Sequence, residues 1–250
     1  MADFNPSDDG WGVKGAGGGA DLATARDSGT IYSMNLASMG GVYTYFYAGA
    51  RPIPAVGFSY INRGHLIFDL SGADAGTIES ATLKLYAHSA DSGGNLNNGH
   101  GFYVVGHDYG GSLNAAADDV NPTNNTTGDW TSTSVPTYSS EIIVDGVSAG
   151  DLISVTLNST AITEINNQLA SGDFDIGIVG NHDYKDDFTL SPTPVAGFGY
   201  NGVHISTVDH ATSAYRPVLE LTYAGIPTPS TVTIKAGSLT ISGGTVTIKW

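Results

Sequence analysis

The chain has 250 residues, a formal net charge of −15, 13% charged residues, 34 glycines and no cysteine. Nucleic acid and anionic membrane surfaces are poor partners for it, because both are bound by Lys and Arg, and the chain has nine of these against 24 Asp and Glu. It can form no disulfide and no thiolate metal site, and no apolar run in it is long enough to span a bilayer as a helix.

With four Glu and five Lys, strong helix formers are thin, while Gly, Thr, Ser, Asn and Tyr are plentiful. That is the profile of a loop-rich all-β protein with a hydroxyl- and amide-covered surface. The length allows one large β domain with small appendages. Most of the acid is Asp, which favours turns and caps and also supplies the oxygens of calcium loops.

Residues 1–30 are rich in Gly, Asp and Ala, with Phe4 and Trp11 as large apolar anchors. They read as an extended arm over the chain's own domain or a neighbour. The opening residues have neither a basic nor an apolar leader region. Read as complete, the chain is expected to be made in the cytoplasm and not exported by the general secretory route.

From 31 to 225, short apolar-polar phrases alternate with Gly, Asp and Asn clusters. Strands are expected at 65–70, 81–86, 101–106, 141–144, 153–157, 174–179 and 217–223. Many short strands of this kind predict a jelly-roll-like two-sheet β-sandwich. One short helix is expected over 161–169, with Ile162, Ile165 and Leu169 at helical spacing, Thr160 as N-cap and a stop at Ser171-Gly172. A long polar loop holding Trp130 covers about 107–138.

Residues 226–250 stand apart. The Pro-containing stretch 226–230 reads as a stiff linker, followed by one seven-residue phrase used three times, at 232–238, 239–245 and from 246 to the end. Each copy alternates as a short strand, with Ala-Gly or Gly-Gly between copies. Val232, Ile234, Leu239, Ile241, Val246, Ile248 and Trp250 form an apolar set that a free tail would expose. Each large aliphatic side chain gains about 1.5–3 kcal/mol from burial, so the set is expected to be an assembly interface. The pattern suits a small β-meander or, in preference, a trimeric fibre-like bundle, and the arm before Ile31 is expected to cross a subunit boundary.

Chemical signatures are sparse. The seven histidines show no metal-ligand spacing and read as structural. Asp183, Asp186 and Asp187 lie in a dense polar stretch that is either a solvated turn or a calcium-binding loop. The ordered spacing of a calcium loop is missing there. Asp118, Asp119 and Asn121 are a weaker candidate of the same kind. Tyr43, Tyr45 and Tyr47 share one face of a strand and could cover their own sheet, meet a neighbouring subunit or stack on a glycan. No acid-base pair, nucleophile elbow or phosphate loop is legible, so no enzyme is expected.

The phrases at 63–70 and 78–86, the strand-helix-strand unit 155–179 and the closing phrase 215–223, in that order, resemble the DNRLRE (disaggregatase-related) family of carbohydrate-binding-module-like β-sandwiches. The resemblance covers about residues 30–224. It implies a jelly-roll-like module of surface, adhesive or glycan-associated proteins, without catalytic residues. The missing leader and the nearly single-domain chain shift that expectation towards a bacteriophage virion: a capsid decoration, head fibre or tail-associated adhesion protein, with itself and other virion proteins as partners. The alternative is a glycan-binding module of a secreted or cell-surface protein.

Overall fold

The computed structural model describes residues 1–16, 30–35, 45–53, 58–89, 100–107, 135–169, 172–187 and 201–225. The repeated tail with its apolar set, Tyr43 and the candidate at 118–121 lie outside them. Twelve strands are described: β1 (Ala2–Phe4), β2 (Asp8–Ala16), β3 (Thr30–Asn35), β4 (Tyr45–Ile53), β5 (Phe58–Asp69), β6 (Ile78–Ser89), β7 (Gly101–Gly106), β8 (Ile142–Ile143), β9 (Leu152–Thr156), β10 (Asp173–Gly180), β11 (Asn201–Ser206) and β12 (Val218–Tyr223). Two helices accompany them, α1 (Ser159–Gln168) and the short α2 (Asn181–Lys185), with a 3-10 turn at Ser213–Tyr215. The chain is an all-β two-sheet sandwich, as its strand-turn pattern predicts.

The smaller sheet runs β1-β12-β6-β9, all antiparallel. The larger runs β11-β4-β5-β10-β7-β8, with β2 on the free edge of β5 and β3 beyond it. The long strand β6 joins the sheets: residues 78–86 pair with β12 and β9, while Ala87 and Ser89 pair with β11. A strand that changes sheet turns a corner of a sandwich.

Alternation sets the core. On β6, Ala81, Leu83, Leu85 and Ala87 are buried while Thr82, Lys84, Tyr86 and His88 between them are half-buried. They meet Leu219 and Leu221 of β12, Ile153 and Val155 of β9, and, from the facing sheet, Phe46, Leu66, Phe68, Phe102, Val104, Phe174, Ile176 and Ile178. Strand β5 breaks the pattern, because residues 61–68 are buried without interruption. Both of its faces are covered, and its outer face carries Arg63 and His65.

The described residues of the N-terminal segment lie against the chain's own domain. Ala2–Phe4 pairs with β12 in one sheet and Asp8–Ala16 with β5 in the other, so its described residues are strands of the sandwich itself. Gly-rich composition suggested an arm, but glycine in a strand also lets the backbone lie close to its neighbours.

Helix α1 closes one end of the sandwich. Ala161 and Ile165 are buried, with Ile162 and Leu169 packed against the core. The N-cap is Asn158 and not Thr160: Asn158 Oδ1 accepts from the backbone N–H of Thr160 at 2.9 Å and of Ala161 at 3.1 Å. Three cap-competent residues stand in a row at 158–160, and the one placed to donate Nδ2–H to Thr137 O at 2.8 Å is the cap. Asn158→Ala is expected to lower stability by about 1 kcal/mol, measured by urea denaturation. The same contacts occupy the amide that an Asn-Ser-Thr glycosylation acceptor would have to offer.

Candidate functional site

Polar chemistry gathers in two places. The first lies on the outer face of the larger sheet, under α2. That helix follows β10 directly, and Asn181, His182, Asp183 and Tyr184 are all buried. Asp183 meets Arg63 of β5 through Nε–H to Oδ2 at 2.7 Å and an Nη2–H to Oδ1 at 3.2 Å, with both side chains 2% exposed. His182 Nε2 lies 3.4 Å from His100 Nδ1. Glu141 accepts from Asn181 Nδ2 at 2.9 Å and from Lys185 Nζ at 2.7 and 2.8 Å. Burial by itself would raise the Glu141 carboxyl, but the Lys185 and Asn181 hydrogen bonds and the Lys185 charge outweigh it and hold the group below its usual range. Tyr184 stacks on Tyr103 with centroids 3.9 Å apart and shares a hydrogen bond with Thr137. Burial and the neighbouring Glu141 push the Tyr103 phenol up to about 12.

This geometry gives the calcium reading no support. Both Asp183 oxygens face Arg63, as a buried carboxylate requires, and are not free for a cation. Asp186 takes a left-handed conformation, φ 54°, and ends α2 by donating its N–H to Asp183 O at 3.2 Å. Asp187 closes the same turn on His182 O at 3.0 Å. Among the described residues no three His, Asp or Glu side chains converge to hold a metal ion. The stretch is a short buried helix, Asn181–Lys185, that ends in an exposed turn at Asp186.

The second place is a row of six rings on the corner where β4, β11, β6 and the loop 207–217 meet. Tyr45 lies between His88, centroid distance 4.6 Å, and His204, 4.7 Å, stacked on both. His88 meets His210 edge to face at 5.5 Å, His210 meets Tyr215 at 5.4 Å, and Tyr215 meets Tyr86 at 5.5 Å. Five of the rings are half-buried and Tyr215 is 39% exposed. Partial burial and the nearby His210 lower the His88 pKa.

Of the expected tyrosine face, Tyr45 is placed in this row. Tyr47 pairs with His204 through the β4–β11 ladder, and its side chain lies outside the described residues. The seven histidines fall into three groups: His65 with His107, His100 with His182, and His88, His204 and His210 in the row. Their sequence separations hid this grouping. Tyr86 and His88, two apart on β6, were the local hint of an outward ring face. Among the described residues no helix is long and apolar enough to cross a membrane. No family model matches the chain, and no curated protein does.

Proposed function

We propose that the chain is a non-enzymatic structural protein of a virus particle, a phage capsid decoration, head fibre or tail-associated adhesion protein that assembles through its terminal repeat. One observation carries the reading: the polar groups of the described body tie distant elements together. Arg63–Asp183 clamps β5 to α2, Glu141–Lys185 clamps the β8 region to α2, and Lys84–Glu220 joins β6 to β12. Such a body suits a scaffold. The seven-residue repeat that follows it supplies an apolar set in need of a partner, and strand edges recruit one. The resemblance to DNRLRE sandwiches supports an adhesive or surface role.

A second reading, a glycan-binding module, is favoured by the ring row. Tyrosine faces at a wet edge suit the C–H face of a sugar, and Tyr215 is the most exposed ring of the six.

Sedimentation of the full chain and of a chain lacking 226–250 separates the readings. The full chain is expected to form a closed oligomer, a trimer in preference, and the truncated chain to remain a folded sandwich with weakened assembly and particle association. Equal assembly by the truncated chain would overturn the structural reading. Strong glycan-array binding lost in Tyr215→Ala, without particle association, would put the second in its place.

A further inference from the structure

Asp9 is a carboxylate 2% exposed near the N-terminal end of β2. It stands opposite Leu66 in the β2–β5 ladder and so shares the core-facing side of that residue. Its Oδ2 accepts the backbone N–H of Val208 at 2.5 Å, across 199 positions of sequence. The contact holds the loop 207–217 at the loop's own start. That loop carries His210 and Tyr215, whose inner contacts are local: His210 N–H to Thr207 O, Thr212 N–H to His210 Nδ1, and Arg216 Nε–H to His210 O, all at 3.1 Å.

We propose that Asp9 and the Val208 amide form a pH-sensitive latch, closed in acid and loosened towards neutrality, that holds the loop 207–217 and its two rings of the row, His210 and Tyr215, against the N-terminal strand. Burial of the carboxyl sets the sense, and the charged surroundings add to it. Asp8 stands beside Asp9 on β2, where its Oδ1 accepts the Asp9 N–H at 2.9 Å, and Asp209 stands on the loop. On β5 the nearest titratable residue in register is His65, opposite Gly10. It lies one position on from Leu66, hence on the other face, against His107. Of the cations on these elements, Arg63 of β5 is engaged with Asp183 on the outer face, and Arg216 of the loop donates its Nε–H to His210 O.

Burial, against the opposing Val208 hydrogen bond and with Asp209 and Asp8 adding to it, pushes the Asp9 carboxyl up to about 7. A carboxyl raised in the closed form favours closure fully below its ordinary value of 3.8, and that advantage is lost as pH rises to about 7. One proton is released on opening within that window. The opening constant therefore rises about tenfold per pH unit and levels off above it. His88 on β6, whose ring meets His210, works in the opposite sense: its lowered pKa means that its contribution is present above the ordinary histidine range and lost as pH falls.

Amide hydrogen exchange of the 207–217 segment in the full chain tests the latch, from pH 5 to 8.5, after correction for the intrinsic base catalysis of exchange. Protection should fall about tenfold per unit up to about pH 7 and then level off. Asp9→Asn keeps an acceptor for Val208 without the charge, and should remove that slope. Asp209→Asn should move the levelling-off to lower pH, since Asp209 contributes to the Asp9 shift. A wild-type segment with flat protection, a slope kept in Asp9→Asn, or an unmoved plateau in Asp209→Asn would each overturn the proposal.

Discussion

Asp183→Ala is expected to lower the unfolding free energy by about 3–5 kcal/mol, because it leaves the Arg63 guanidinium buried without its counter-charge. For a chain of this size that corresponds to a fall of about 6–20 °C in melting temperature. Asp183→Asn should lie close to it, since a neutral amide fills the space but not the charge. Replacing both partners, Arg63→Met with Asp183→Leu, should recover much of the loss, because a well-packed apolar pair escapes the desolvation that two buried ions suffer. Calorimetry with and without excess chelator adds a second readout. The ion pair requires the Asp183→Ala loss to be the same in both, whereas a calcium loop would show it only while the ion is present. A loss below 1 kcal/mol would mean that water reaches the pair.

Phe46→Ala should cost about 3–5 kcal/mol as a large core truncation, and its coupling to Gly64 makes the sharper test. Phe46 is fully buried, and a Cβ built at Gly64 would lie 2.1 Å from its ring. Gly64→Ala alone should therefore cost about 1–3 kcal/mol through overpacking, because the neighbouring atoms belong to a ring fixed between two sheets. Once Phe46 is alanine the obstruction is gone, and the second substitution should add little. Chemical denaturation of the wild type, both single variants and the double variant measures the coupling. Additive losses would show that the ring moves aside at no cost.

The strands at 65–70, 81–86, 101–106, 153–157, 174–179 and 217–223 and the helix near 161 were legible in the sequence because their causes are local. Period-2 alternation buries one side chain in two, Gly and Asp clusters turn the chain, and Ile162, Ile165 and Leu169 recur at helical spacing. Composition alone was enough to make the chain all-β. What local pattern cannot express is which strand lies beside which, and the site chemistry depends on that. Arg63 and Asp183 are 120 residues apart, Asp9 and Val208 199. Pairing β2 with β5 turned a Gly-rich segment that read as an arm into sheet, because backbone hydrogen bonds do not need side-chain pattern. The polar stretch at 181–187 read as a turn or a calcium loop because three acids in seven residues look alike whether they face water, a cation or an arginine. Only the approach of β5 to α2 gave Asp183 its arginine, since a buried carboxylate takes the charge that the fold brings to it.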